Sequence, residues 1–382
     1  MGNVYIGGVS LTKVGEHWDK SLENLLSESA VKCLDASSVS HVDQIIVSNL
    51  FGEVFQEQAN LGSIAAEELG LSGVPAYRVE AGGVSSLYAL AAAYQAVVSG
   101  QANSVLVVGV EKMSDASAEE INSLSVAEER CDYLGKIGVT VSAEASLLYK
   151  EYMRRYRVSQ EEIALFPIMD HEHGSTSSHA QFPFKIKLEN ILDSPYVAEP
   201  IRRLETTAPA DGAAAVLICD GDVKLSSPRC LISGLGFATD YPVPTDREDP
   251  IELRALKIAV EKALKMAKVT RSDVRMLELY DCFSILAPLS LEASGFAPAG
   301  MACKYAAKEA YTLSGQTPVN TFGGLKARGH PIGATGVYQL AEAYLQITEQ
   351  AGKNQVYGVK TAMVQSLAGL GAGAGAVVLE AE

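Results

Sequence analysis

The stretch VEAGGVSSLYAL (79–90) breaks from small residues into a long apolar segment, AAAYQAVVSG (91–100). This is the pattern of a turn feeding the N-terminus of a buried helix, where free N–H groups and the helix dipole stabilise negative charge. Enzymes often put a nucleophile at such a turn, yet here it holds Gly82 and Gly83, with no side chain to attack with. A second small-residue turn, GHPIGATG (329–336), carries His330 at the start of another helical segment. Other reactive residues offer less. Cys33, Cys131, Cys219, Cys230, Cys282 and Cys303 are scattered without a CxxC pair, so neither a disulfide framework nor a zinc site is expected. His171, His173 and His179 in DHEHGSTSSHA (170–180) read as a polar loop, because no carboxylate or cysteine is spaced to complete a defined ligand set. GLGAGAG (369–375) is no dinucleotide fingerprint, since it neither follows a clear strand nor opens a helix.

These turns need a scaffold, and 382 residues suffice for two domains or one large duplicated unit. Hydrophobic residues at 48% and charged residues at 20% fit a globular enzyme. A net charge of −15 argues against nucleic acid but leaves room for an anionic small ligand held by local cations. No apolar run reaches the length of a membrane span, and MGNVYIGGVSLTKVGEHW (1–18) lacks the basic start and apolar core of a signal peptide. The expectation is no membrane and a cytoplasmic location.

The chain also repeats itself. GGVSSLYALAAAYQAVVSGQ (82–101) and GHPIGATGVYQLAEAYLQITEQ (329–350) share Tyr88/Tyr338, Leu90/Leu340, Ala91/Ala341, Ala93/Ala343 and Tyr94/Tyr344 in one register. Each is followed by a short apolar run read as a strand, SVLVVGV (104–110) and NQVYGVK (354–360). VYIGGVS (4–10) pairs with CLISGLG (230–236), DQIIVSNLFG (43–52) with VRMLELYDCF (274–283), and AAAVLICDG (213–221) with GAGAVVLEAE (373–382). Short β-rich runs alternating with longer helices make layered α/β halves, packed face to face with their two nearly apolar helices adjacent between sheets. The expected halves are 1–225 and 226–382, the first carrying an insertion at about 115–205 that shapes a substrate pocket. In that insertion YKEYMRRYRVSQEEIALF (149–166) reads as a helix followed by an irregular loop, with Ser159 and Glu162 in a capping-box pattern.

NTFGGLKARGHPIGATG (320–336), ILDSPYVAEPIRRLETTAPADGAAAVLICD (191–220) and VLVVGVEKMSD (105–115) resemble the thiolase superfamily, and the resemblance covers nearly the whole chain. It implies a thiolase fold: two duplicated layered α/β halves (αβαβα) with an inserted loop domain in the first. Within the superfamily the chain is similar to sterol-carrier-protein-type and archaeal-type thiolases, whose nucleophilic cysteine stands where this chain has Gly83. Tyr280 stands where that family has His or Asn, and Ser366 and Leu367 where it has a His-Asn pair. The chain also resembles thiolase-like steroid side-chain aldolases. Those lack the cysteine, carry tyrosine at the YDCF position and work with a small zinc-ribbon/OB-fold partner, but have tyrosine in place of His330.

An acyl-enzyme at residue 83 is therefore not expected, since losing a nucleophile that acts as part of a unit costs on the order of a million-fold in turnover. The resemblance assigns His330 to the thioester oxygen, and Tyr280 adds a second donor or a proton shuttle. Ser366 is a third candidate side chain. Backbone N–H groups at Gly83 and near Ala368 make an oxyanion site for the enolate of an acyl-CoA. Such a site suits making or breaking a C–C bond next to a CoA thioester by aldol or retro-aldol chemistry. The CoA thioester is then the substrate, with no permanently bound cofactor or metal. A homodimer through the first-half sheet is implied, with the small zinc-ribbon/OB-fold subunit as a further partner. Two alternatives stand beside this reading: an acyltransferase using another residue, such as Cys282 on the same strand face as Tyr280, and a catalytically degenerate scaffold subunit.

Overall fold

The computed structural model describes residues 2–382. Its strands are β1 (Val4–Leu11), β2 (Gln44–Ser48), β3 (Ala76–Val79), β4 (Ser104–Glu111), β5 (Tyr196–Ala198), β6 (Ile201–Arg202), β7 (Gly212–Asp220), β8 (Cys230–Thr239), β9 (Met276–Glu278), β10 (Thr361–Ala368) and β11 (Gly373–Ala381). Nine of them form one mixed sheet in the order β3-β2-β4-β7-β1-β8-β11-β10-β9, while β5 and β6 pair by themselves. The two halves of the large sheet meet at β1 and β8, through Tyr5 opposite Leu231 and Ile6 opposite Cys230. On either side of that seam the order is mirrored. β4 runs parallel to β2 and antiparallel to β7, as β10 runs parallel to β9 and antiparallel to β11.

The helices Ser85–Val98 and Thr335–Ile347 are apolar nearly all round because each is covered on opposite sides. They pack on each other and on strands of both halves, burying Leu87, Leu90, Ala93, Val337, Leu340 and Ala341 in one core. Outside the first half, the helix Leu22–Ser37 covers β1, β7 and β4, burying Leu25, Leu26, Ala30 and Cys33. Outside the second, the helix Arg254–Ala267 is amphipathic, burying Leu256, Ala259, Val260 and Ala263 while Lys257, Glu261 and Lys265 face solvent. It lies so close to β8 that a β-carbon on Gly236 would come within 1.9 Å of the Ala259 carbonyl oxygen. The five layers expected from the duplication are thus present. Among the described residues no helix is long and apolar enough to cross a membrane.

Three local expectations change. The counterpart of β4 is β10, not NQVYGVK (354–360), which follows a short turn at Gly352–Asn354 and bends at Gly358 with φ of 72°. Gln365 and Ser366 obscured β10 as an apolar run, but both are fully buried, and Gln339 bonds the Gln365 backbone carbonyl and the Ser366 hydroxyl. GLGAGAG accordingly does follow a strand; it is the turn and start of the β10–β11 hairpin and opens no helix. In the insertion, Ser159 and Glu162 form the capping box before Gln160–Ile163. The segment beyond it is the helix Leu165–Gly174 rather than an irregular loop, with His171 and His173 buried.

Candidate active site

The YDCF segment leaves β9 and is pinned beside the Gly-His-Pro turn by side chains of both. The Asn320 amide oxygen accepts from the Leu279 N–H at 2.7 Å, and the Asp281 carboxylate accepts from the Leu325 N–H at 2.8 Å. Between them lies a largely apolar cavity of about 640 Å³. Tyr280, Cys282, His330, Glu128 and Gly369 share its wall with Phe51, Met113, Val141, Phe182, Phe283 and Ile332. The segment 115–205 contributes Ile121, Ser125, Glu128, Phe182 and Leu204 to the lining.

Tyr280 and His330 meet edge to face, with ring centroids 5.1 Å apart and planes at 87°, and the Tyr280 hydroxyl lies 3.2 Å from His330 Nε2. On the far side, His330 Nδ1 is 2.7 Å from the Thr335 hydroxyl, which itself donates to the Pro331 carbonyl at 3.3 Å. Thr335 therefore accepts from Nδ1–H, and the Nε2 lone pair faces the phenol. Burial, with the nearby Arg328 charge, holds the imidazole pKa down at about 3, so the ring is neutral. Burial and the Glu128 carboxylate push the Tyr280 phenol up, so it stays protonated. A protonated phenol bonded to a neutral imidazole is a relay that carries a proton away from whatever touches the phenol oxygen.

The phenol also explains the glycine. A β-carbon at Gly83 would sit 2.1 Å from Tyr280 Oη and 2.4 Å from the Leu367 carbonyl oxygen. Tyr280 occupies the room that a nucleophilic side chain at residue 83 would need.

The Gly83 N–H donates to Glu128 Oε1 at 2.6 Å, and the Gly369 N–H reaches the same oxygen at 3.4 Å. Two backbone donors, one from each half, converge on one oxygen, which is the geometry of an oxyanion site. The second donor is Gly369 rather than Ala368, because Ala368 is still paired with Gly373 across the hairpin. Ser366 is not brought to the site. Strand alternation turns its hydroxyl to Gln339 Oε1 at 2.7 Å, inside the core. Cys282 does line the cavity. Burial and the charges of Glu128 and Asp281 push its thiol up, which removes the thiolate a nucleophile requires.

Sequence reasoning missed Glu128 and Lys326. Nothing in VAEER (126–130) distinguishes Glu128 from Glu129, whose carboxylate accepts from the Leu370 N–H at 2.8 Å. Lys326 lies within the Gly-His-Pro motif. Its amine lines the cavity and donates to the Thr206 carbonyl at 2.7 Å, and burial lowers its pKa to about 8. The expected histidine loop is instead tied down. His171 Nδ1 pairs with the Phe184 carbonyl at 2.8 Å, His173 Nδ1 with that of Asn320 at 3.1 Å, and His179 Nε2 with Glu342 at 2.7 Å.

The buried carboxyls make stability pH-dependent. Burial raises Glu111, Glu128 and Glu144 to about 7 and Glu129 to about 8, against an unfolded value of 4.5. In that range the folded state holds protons that the unfolded chain releases. Their contribution is therefore full below the unfolded value and is lost as pH rises through the folded ones. The neutral histidines act in the opposite sense only below their ordinary value of 6.5. Calorimetry should show a midpoint lower at pH 8 than at pH 6.5 by roughly 5 °C, and Glu129→Gln should flatten that slope. A midpoint that rises over the interval would contradict the assignment.

Family models described as Thiolase, N-terminal domain and Thiolase C-terminal domain-like match residues 4–222 and 236–381. The chain is 34% identical over 375 residues to an acetyl-CoA acetyltransferase of Methanothermobacter thermautotrophicus, covering 97% of each chain. It is 30% identical over 397 residues to sterol carrier protein 2 of Gallus gallus, covering 98% of this chain and 71% of that protein. Among solved structures it matches an "Ltp2-ChsH2(DUF35) aldolase" with a TM-score of 0.87 at 21% identity, over 100% of this chain and 98% of the other. At that identity the likeness is one of fold.

Proposed function

The chain belongs to the thiolase superfamily, and from that premise we propose that it makes or breaks a C–C bond next to a CoA thioester by aldol or retro-aldol chemistry, with no acyl-cysteine. The observation that carries this reading is the Tyr280 hydroxyl, which fills the room of a residue-83 side chain and is bonded to His330 Nε2. In the cleavage direction the β-hydroxyl of a β-hydroxyacyl-CoA gives its proton to Tyr280 Oη while Tyr280 passes its own to His330 Nε2. The Cα–Cβ pair moves into the thioester, whose oxygen takes charge at the N–H groups of Gly83 and Gly369. A carbonyl compound leaves from the β side. The apolar lining and size of the cavity favour a bulky acyl group.

The protonated Cys282 weighs against the acyltransferase alternative. The proposal includes a homodimer through the first-half sheet, where β3 is an edge strand. It also includes a small partner subunit, in keeping with a fold neighbour described as a two-component aldolase. The test is incubation with bulky β-hydroxyacyl-CoA thioesters, alone and with a zinc-ribbon partner. The expected result is release of a carbonyl compound and a shortened acyl-CoA, with the intact mass of the chain unchanged. A stable acyl adduct on any cysteine would overturn the non-covalent route. Inactivity of both the isolated chain and its complex would favour a scaffold.

A further inference from the structure

Retro-aldol cleavage leaves a carbanion equivalent at Cα, which must take up a proton before the acyl-CoA leaves. We propose that Glu128 is a catalytic residue that delivers the proton to Cα of the thioester enolate and, in the condensing direction, removes it. This rests on the reading of the site as one for CoA thioesters.

Three observations carry it. First, Glu128 Oε1 sits on the N–H groups of both Gly83 and Gly369, which are the donors that a thioester oxygen would use. A thioester oxygen placed there has its Cα two bonds away, and the carboxyl that it displaces belongs to the wall of the same cavity. Second, the repeat places Gly333 in the register of Gly83, and its N–H is likewise held by a carboxylate, Glu111, at 3.2 Å. Glu111 is fully buried and absent from the cavity lining, whereas Glu128 is half-buried and part of the wall. One helix start is closed by a carboxylate inside the core; the other is closed by a group on the cavity wall. Third, the surroundings supply the proton. Burial has already raised Glu128 to about 7 despite its two N–H partners. A substrate oxygen that takes those partners leaves the carboxylate in an apolar wall near Glu80, so it takes up a proton from solvent.

The step balances. The β-hydroxyl O–H breaks, its proton enters the relay and His330 becomes cationic. The Cα–Cβ pair becomes the enolate, and the Glu128 O–H gives its proton to Cα. The acyl-CoA leaves, the Glu128 carboxylate returns to the two N–H groups, and His330 releases its proton through Tyr280 to solvent.

Solvent-deuterium exchange at Cα of acetyl-CoA and propionyl-CoA reads this step without any β-hydroxyl chemistry. Wild-type protein is expected to incorporate deuterium, and Glu128→Gln to lose on the order of 10²-fold or more in exchange rate. Glutamine keeps the size and one acceptor oxygen, and an unchanged thermal midpoint would confirm that the fold is intact. Glu129→Gln, at a carboxylate that holds the Leu370 N–H and is absent from the cavity lining, should exchange at the wild-type rate, which separates Glu128 from the other raised carboxyl nearby. Wild-type or faster exchange in Glu128→Gln would overturn the proposal and make Glu128 a mere occupant of the two donors; so would no exchange by the wild type. Normal Glu128-dependent exchange without cleavage of any β-hydroxyacyl-CoA would instead count against the aldol reading and leave this assignment standing.

Discussion

Tyr280→Phe should lower the cleavage of a β-hydroxyacyl-CoA by on the order of 10³-fold, almost entirely in kcat. The substitution is small in structural terms. Tyr280 is 1% exposed and packs edge to face on His330, and phenylalanine keeps that ring contact. What it removes is the oxygen that joins the cavity to His330 Nε2 across 3.2 Å. Without it the imidazole still holds its lone pair, because Thr335 continues to accept from Nδ1–H. Its nearest proton source is then one atom layer further away, so binding survives while proton removal does not. Steady-state kinetics, with the thermal midpoint as a check on folding, decides the matter. Unchanged kcat would remove Tyr280 from the mechanism and leave its hydroxyl as a space-filler over Gly83.

The duplication was legible because it is written in small and aromatic residues on helices covered from both sides, where Tyr88/Tyr338 and Leu90/Leu340 keep register. Tyr280 and His330 were legible because each sits in a local motif, and the fold brings those motifs together. β10 was not, since its polar Gln365 and Ser366 interrupt the apolar run, and Gln339, from a helix 26–27 residues earlier, bonds the Gln365 carbonyl and the Ser366 hydroxyl. The same holds for His171 and His173, whose partners are backbone carbonyls of Phe184 and Asn320. Glu128 was hidden most completely. Its meaning lies in two N–H groups, at Gly83 and Gly369, that are 45 and 241 residues away. Local periodicity reports burial and element type; it carries no signal for a carboxylate that becomes special only by where the chain returns.

That return bears on whether a nucleophile can be put back. Gly83→Cys is expected to leave the protein unable to form an acyl-enzyme and to cost about 3 kcal/mol of stability, at the upper end for overpacking. The new β-carbon would meet Tyr280 Oη at 2.1 Å and the Leu367 carbonyl oxygen at 2.4 Å. The phenol cannot simply step aside, because its ring is wedged against His330. Leu367 cannot either, since it is paired with Ala374 in the β10–β11 ladder. The chemistry is opposed as well. A helix N-terminus lowers a thiol pKa, but the Glu128 carboxylate lies on the Gly83 N–H and works against ionisation. Tyr280→Asn removes the closer clash and leaves the Leu367 contact. In a double-mutant cycle by chemical denaturation the pair should therefore show a favourable coupling of about 1–2 kcal/mol, with stability only partly recovered. A Gly83→Cys protein as stable as the parent, or one that acquires an acyl group from an acyl-CoA by intact mass, would mean that Tyr280 does not exclude a nucleophile. In that case the glycine would be an incidental loss rather than one half of a matched pair with the tyrosine.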